Sequence, residues 1–278
     1  MSGTILVLGA TGNVGAPLVE ALVARGERVR AGSRHASPVD GAEAARVDLA
    51  DPASVEAAME GVDRLYALAP AGSMDPVGLL SPVFEAAARR GAKVVLQSAM
   101  GVEASDDIPL RRAELALERS GAPWVVLRPN WFMDNFHTYW REGVRAGHVL
   151  VPAGEGATSF VDARDIAAAA AGALTSSAWD GQAFAITGPE ALTYHEAAAT
   201  LSDALGRTVA YRPVDDETFV GIMTRAGLPE AYARLLAGIF YPVREGWAAP
   251  VTDAVEQLSG QAPRTLRTYA ADRAALMS

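Results

Sequence analysis

Three glycines near the N-terminus carry the first chemistry legible in this 278-residue chain. In Gly9-Ala10-Thr11-Gly12-Asn13-Val14-Gly15 they follow a short apolar run and open a stretch of helical spacing. Glycine at these positions allows a tight turn, close approach of backbone to a pyrophosphate, and close packing of helix on strand. A helix N-terminus there offers free N–H groups and the positive end of its dipole to the phosphate. A merely structural turn has no need of this spacing. Gly9, Thr11, Gly12, Asn13, Val14 and Gly15 are therefore expected to hold a dinucleotide.

The second strand ends in Ala31-Gly32-Ser33-Arg34. Sites selective for NAD place a carboxylate there for the ribose 2′-hydroxyl. Here Ser33 and Arg34 stand instead, and an arginine suits a 2′-phosphate through paired donors. NADP(H) is the expected cofactor. Asp48 and Leu49, beyond a third strand expected at 45–47, fall beside the adenine, and Ala69 and Pro70 follow the fourth strand. Ser98 ends the fifth strand, where ligands bind in open α/β sheets. Its hydroxyl can donate to a substrate oxygen, and a structural role is equally open.

The elements that must position these residues alternate regularly. Apolar runs at 4–8, 28–31, 64–68, 93–96 and 124–127 read as buried strands. Between them, 14–25, 52–60, 76–90 and 110–120 have helical spacing. Gly26, Gly61, Gly91 and Gly121 each follow such a stretch, where a left-handed cap favours glycine. Continuously apolar strands separated by helices describe a parallel sheet covered on both faces, so the expected fold is doubly wound α/β of Rossmann type. Residues 1–155, with the Ala-rich helix 162–174 returning to the sheet, are expected to form the nucleotide-binding domain. Residues 156–278, including a strand at 183–187, form a smaller substrate lobe with an interleaved boundary. An aromatic-rich helix is expected over 130–143.

Composition narrows the function classes. The chain has no cysteine, which excludes thiol catalysis, disulfides and cysteine-ligated metal centres. Its net charge of −9 opposes binding to nucleic acid, which depends on basic patches. No stretch approaches the roughly 20 apolar residues of a spanning helix, and the N-terminus lacks the basic start of a signal peptide. A soluble, cytoplasmic protein acting on a small molecule is expected, with no membrane partner and a homodimer as the candidate assembly. His35, His148 and His195 are isolated from carboxylates at ligand spacing, so no metal is expected.

The GATGNVG turn, the GSR strand end, ERSGAPWVVLRPNWFMDNF at 118–136, FVDARDIA at 160–167 and GQAPRTLRTYAAD at 260–272 resemble the NmrA-like atypical short-chain dehydrogenase/reductases. The likeness spans nearly the whole chain and is nearest to quinone-reductase-like members and to iminium reductases of ergot alkaloid formation. It implies an NADP-binding Rossmann fold, with Pro129 and Asn130 approaching the nicotinamide. Ordinary short-chain dehydrogenases use a Tyr with a Lys four residues later to protonate a carbonyl oxygen. Here the only lysine is Lys93, at the start of a strand, and no tyrosine lies between Tyr66 and Tyr139. Arg111 or Arg112 could take the missing lysine's place, or could be solvated helix arginines.

Without a positioned acid, a plain ketone forfeits a factor of about 10²–10⁴. A quinone, enone or iminium ion, which spreads or already carries the charge, needs less help. On the expected helix, Phe132, Phe136 and Trp140 form one stripe and Trp131, Asn135 and Tyr139 another. One stripe is core; the other, with Met100 and Phe160, could line a pocket for a planar substrate. Asp134, His137 and Tyr139 are the nearest proton donors. The expected activity is NADPH-dependent reduction of an activated acceptor. A dinucleotide-sensing regulator and a non-redox isomerase or cyclase remain as alternatives.

Overall fold

The structure, a computed structural model, describes residues 3–278; Met1 and Ser2, at the start of the expected nucleotide-binding part, lie outside the described residues. In chain order its elements begin β1 (Thr4–Leu8), α1 (Gly15–Ala24), β2 (Arg28–Ser33), β3 (Glu43–Arg46), α2 (Pro52–Ala58), β4 (Val62–Leu68) and α3 (Pro76–Arg90). There follow β5 (Lys93–Gln97), α4 (Pro109–Arg119), β6 (Trp124–Pro129), α5 (Arg141–Arg145), β7 (His148–Val149), β8 (Ala157–Thr158), α6 (Ala163–Thr175) and β9 (Gln182–Ile186). The remainder is β10 (Leu192–Thr193), α7 (Tyr194–Leu205), β11 (Ala210–Tyr211), α8 (Asp216–Arg225), α9 (Glu230–Gly238), α10 (Tyr241–Arg244), α11 (Ala254–Ser259) and α12 (Leu266–Met277).

Contacts divide the chain into two compact units. The first holds the chain up to Pro129, Ala163–Ile186 and Ala254–Gln261; the second holds Asn130–Asp162, Thr187–Asp253 and Ala262–Ser278. Residues 130–155, expected with the nucleotide-binding part, thus pack in the second unit, because their aromatic side chains enter its core.

The first unit is built on a seven-stranded sheet of order β3-β2-β1-β4-β5-β6-β9, and every pairing is parallel. This is the expected doubly wound α/β fold. The strands can be continuously apolar because helices cover both faces: β1, TILVL, is buried throughout. Leu65, Ala67, Val94 and Leu96 pack with Val83, Phe84, Ala113 and Leu117 of α3 and α4. On the opposite face lie α1, α6 and α11. The Ala-rich α6 comes close enough to α11 that a Cβ on Gly172 would stand 1.8 Å from the Leu258 carbonyl oxygen. Gly26, Gly61, Gly91 and Gly121 all take positive φ after their elements, as the sequence predicts.

The second unit has an aromatic core. The Tyr194 ring meets Phe160 at 5.2 Å, Tyr211 at 5.5 Å and Trp140 at 5.8 Å between centroids. Two small sheets, β8–β10 antiparallel and β7–β11 parallel, edge this core. The Thr193–Glu196 capping box starts α7.

One expectation fails here. Residues 130–143 are not one helix: a 3₁₀ turn at Met133–Phe136 precedes the short α5. Val161 donates its N–H to the Trp131 carbonyl and accepts the Met133 N–H, both at 2.9 Å. That strand-like pairing fixes Phe132 in extended backbone and outcompetes helix propensity. Phe136 and Trp140 still touch at 5.1 Å, but Phe132 leaves their stripe to pair with Val161.

Candidate cofactor-binding and active site

In the first unit the chain leaves β1 in one direction for β2 and β3 and resumes on the other side with β4. Ligands of such sheets bind at the carboxyl ends of the strands around this switch point. The turn after β1 has the required form. Gly9 adopts φ +64°, and a Cβ on Gly15 would lie 2.1 Å from the Gly9 carbonyl oxygen. Thr11, Gly12 and Asn13 are exposed, while Val14 buries its side chain and leaves only its backbone for a ligand. Gly12 donates its N–H to Gly9 O (2.9 Å), and no side chain caps the start of α1. An uncapped helix N-terminus under a glycine-rich turn is a fitting cradle for a pyrophosphate.

At the end of β2, Ser33 Oγ accepts the Ser37 N–H at 2.9 Å and keeps its own proton to donate. Arg34 is exposed, and its side chain makes no hydrogen bond or ion pair among the described residues. Asp48 is held by mutual bonds with Ser54: its N–H donates to Ser54 Oγ at 2.9 Å, and Ser54 Oγ donates to its carbonyl at 3.0 Å. Leu49 packs against the helix-covered core. Ala69 and Pro70 follow β4, Ala69 half-buried and Pro70 exposed. These residues, with Ser98 after β5 and Pro129 ending β6, share the carboxyl edge of one sheet.

Ser98 is 8% exposed and donates its N–H to Leu127 O at 2.7 Å. Its Oγ makes no hydrogen bond of good geometry, although it lies beside the Glu114 carboxylate and adds to the pull that keeps it ionised. Glu114, on α4, is wholly buried. Its Oε1 accepts from Arg128 Nε (3.0 Å), and its Oε2 accepts from Arg128 Nη2 (2.7 Å) and Arg111 Nη1 (2.8 Å). Burial pushes its pKa up, but bonds from Arg128 and Arg111, with the nearby Ser98 hydroxyl, together outweigh this and hold it below the ordinary 4.5. Neither helix arginine takes the missing lysine's place: Arg111 is committed to Glu114, Glu118 and Asp106, and the exposed Arg112 to Asp107. Met100 is half-buried and donates its N–H to Pro129 O at 3.0 Å.

Sequence reasoning missed this network, although a signal for it was present. Arg128 lies in an otherwise apolar strand, and a charge there requires a counter-charge from the covering helix. Lys93 has no catalytic geometry. It sits at the opposite end of β5 from Ser98, roughly 16 Å away at strand rise, donating to Ser176 O at 2.6 Å and paired with Asp180.

The other expected site residues lie in the second unit. Asn130 commits both amide hydrogens, to Ser159 Oγ at 2.7 Å and to Ala248 O at 2.8 Å, and so fixes backbone. Phe136 and Phe160 are sealed in the aromatic core, 5.5 Å apart between centroids. This corrects their expected place on a pocket wall: their faces are already satisfied by other rings. Trp131, Phe132 and Asn135 remain half-buried, and Trp131 lies 4.5 Å from Phe240 between centroids. Of the expected proton donors, Asp134 is buried and Tyr139 is 59% exposed. His137 Nδ1 is hydrogen-bonded to the Tyr269 hydroxyl. Burial first, then Arg273 and Arg141, lower its pKa. Among the described residues, no group of three or more His, Cys, Asp or Glu side chains could hold a metal, and no helix is long and apolar enough to cross a membrane.

A family model described as NAD(P)H-binding matches residues 9–177. The chain is 35% identical to the (4-alkanoyl-5-oxo-2,5-dihydrofuran-3-yl)methyl phosphate reductase of Streptomyces griseus, over 97% of this chain and 98% of the relative. It is 33% identical to the NAD(P)H azoreductase of Xenophilus azovorans over 98% of both. The Citrobacter sp. triphenylmethane reductase, solved in complex with NADP(H), matches with a TM-score of 0.82 at 26% identity, covering 98% of this chain and 99% of that one.

Proposed function

The chain belongs to the NAD(P)H-binding family, and from that membership we propose that it is an NADPH-dependent reductase of small conjugated or iminium-type acceptors. Bound NADPH supplies a hydride from its nicotinamide ring. The open turn after β1 binds the pyrophosphate, and Arg34 with Ser33 selects the 2′-phosphate through charge-assisted bonds. Ser98, whose hydroxyl lies beside the Glu114 carboxylate, turns its hydrogen to the acceptor atom that gains electron density.

The observation that carries the choice of acceptor is the fate of Lys93. The chain's one lysine is buried and ion-paired at the amino end of β5, and α4 has no tyrosine. No Tyr–Lys pair is available to protonate a developing alkoxide, so the acceptor itself must spread the incoming charge. The named relatives support this, since azo, oxo-dihydrofuran and triphenylmethane acceptors are all conjugated.

The test is NADPH consumption with menadione, cyclohexenone and a cyclic imine, beside acetophenone as a plain ketone. Stoichiometric consumption with at least one of the first three, and none with acetophenone, is expected. Tight NADPH binding with no consumption by any acceptor overturns the reading in favour of a sensor. Acceptor turnover without net NADPH loss favours an isomerase.

A further inference from the structure

Strand alternation brings two polar side chains to one face at the carboxyl edge of the sheet. Leu96 of β5 and Val126 of β6 pair in register and pack in the core beneath α3 and α4. The Ser98 N–H extends that ladder by donating to Leu127 O at 2.7 Å. Side chains two residues apart share a face, so Ser98 and Arg128 stand side by side where α4 covers the sheet. Glu114 meets them from α4, between the core residues Ala113 and Leu117. All of these residues belong to the first unit, as does the turn after β1.

The hydrogen bonds of this group are unevenly spent. Glu114 Oε2 accepts two, from Arg128 Nη2 and Arg111 Nη1, whereas Oε1 accepts one, from Arg128 Nε. A carboxylate oxygen has room for about two, so Oε1 retains a free lone pair. The hydroxyl beside this carboxylate is that of Ser98, nine-tenths buried and with no hydrogen-bond partner for its Oγ. A full negative charge therefore faces the one hydrogen that Ser98 can donate. The arginines do not replace that hydrogen. Arg128 spends Nε and Nη2 on Glu114, and Arg111 turns to Glu114, Glu118 (3.0 Å) and Asp106 (3.3 Å).

We propose that Glu114 sets the acceptor preference: it competes for the Ser98 hydroxyl hydrogen and so disfavours acceptors that become oxyanions relative to acceptors that arrive as cations. This rests on the reductase reading above, in which Ser98 meets the acceptor. An enone takes the hydride of NADPH at its β-carbon and shifts the C=C electron pair towards the carbonyl. An enolate and NADP⁺ result, and water then protonates the enolate. The enolate oxygen needs the Ser98 hydrogen as its charge develops, and that hydrogen must leave Glu114 to reach it. An iminium carbon takes the hydride while its C=N π pair returns to nitrogen, giving a neutral amine and NADP⁺. No hydrogen bond is asked of Ser98. A hydrogen bond to a carboxylate is about twice as strong as one to a neutral oxygen, so neutralising Glu114 frees the hydroxyl.

The test compares wild type with Glu114→Gln, which removes the charge and keeps the shape, with Ser98→Ala, and with the double variant. Steady-state NADPH oxidation is measured with cyclohexenone and with N-methyl-3,4-dihydroisoquinolinium, a permanent iminium cation. Glu114→Gln raises the ratio of kcat/KM for cyclohexenone to that for the iminium about fivefold, the gap between a charged and a neutral hydrogen bond. The change sits in kcat for cyclohexenone. In the Ser98→Ala background the same substitution moves the ratio less than about twofold. Arg111→Gln is an independent arm: it leaves Glu114 one donor fewer, tightens its hold on the hydroxyl and lowers the ratio. A further measurement needs no turnover. The oxyanion 4-nitrophenolate, titrated calorimetrically into protein saturated with NADP⁺, binds about fivefold tighter to Glu114→Gln than to wild type, and equally to Ser98→Ala and the double variant. A ratio and an affinity that Glu114→Gln leaves unchanged overturn the proposal, as does a shift of equal size without Ser98, which assigns the effect to charge alone. A uniform loss with both acceptors that follows a drop in melting temperature also overturns it, by reducing Glu114 to a structural ion pair. Failure of wild type to oxidise NADPH with any acceptor overturns the reductase reading, while the nitrophenolate titration still decides the part of Glu114.

Discussion

Gly15→Ala places a methyl group 2.1 Å from the Gly9 carbonyl oxygen, 2.7 Å from its carbon and 2.9 Å from Ala10 Cα. All three atoms are backbone, so no side-chain rotation gives relief. Carbon contacts relax near 3.5 Å, and α1 must part from the turn by more than ~1 Å. Overpacking of this kind costs about 1–3 kcal/mol, which lowers the melting temperature by roughly 3–10 °C at this size. The same displacement carries the helix N–H groups away from the phosphate. One lost bond to a charged group, about 1.5–3 kcal/mol, weakens NADPH binding at least tenfold. Gly12→Ala separates the two effects. Its Cβ would meet the Gly9 oxygen at 3.2 Å, a contact that a few tenths of an ångström relieves, yet it stands on the exposed side of the turn. Thermal melts and fluorescence titration with NADPH should show Gly15→Ala losing stability and affinity, and Gly12→Ala losing affinity alone. Wild-type melting and affinity in Gly15→Ala would refute the close approach of helix and turn. Wild-type affinity in Gly12→Ala would refute the turn as the phosphate site.

Arg34→Ala should weaken NADPH binding about 10–100-fold, the value of a charge-assisted contact to a dianion, and change NADH binding less than about twofold; equal losses in parallel titrations would remove Arg34 from the site. Glu114→Ala strands Arg128 and Arg111 around a vacated carboxylate site and should cost about 3–5 kcal/mol in denaturant unfolding, and Glu114→Gln less. Because the folded Glu114 pKa lies below the ordinary 4.5, its contribution is complete above that pH and is lost as pH falls through the folded value. Glu114→Gln should therefore flatten the acid limb of stability against pH, and an unchanged limb would assign that limb to other carboxylates. Ser98→Ala should lower kcat by up to about 100-fold for oxygen-bearing acceptors at unchanged NADPH affinity, and full activity would leave its buried hydroxyl without a role in reduction.

The nucleotide-binding unit was legible because its signals are local. Gly26, Gly61, Gly91 and Gly121 announce left-handed caps, and the apolar runs of β1 and of Val94–Leu96 in β5 are continuous because both faces of the sheet are covered. The fate of Lys93 was half legible: its place in the chain excluded the usual pair, but only the fold reveals Asp180 as its partner. The 130–143 segment has helical spacing of aromatics, but Val161, some thirty residues on, captures its backbone, a pairing that local spacing does not encode. Glu114 and Arg128 pair across an α4–β6 packing, a distance that periodicity does not encode.

The most direct test of the central claim, hydride transfer to an activated acceptor without a Tyr–Lys pair, is to follow a label. NADPH carrying deuterium at the transferable position of nicotinamide C4 is incubated with the protein and a cyclic imine or cyclohexenone, and the product is analysed by mass spectrometry. One deuterium bound to carbon in the product is expected, from one face of the nicotinamide only, with one NADPH consumed per product. A product free of label, or NADPH bound and never oxidised by any acceptor, would contradict it.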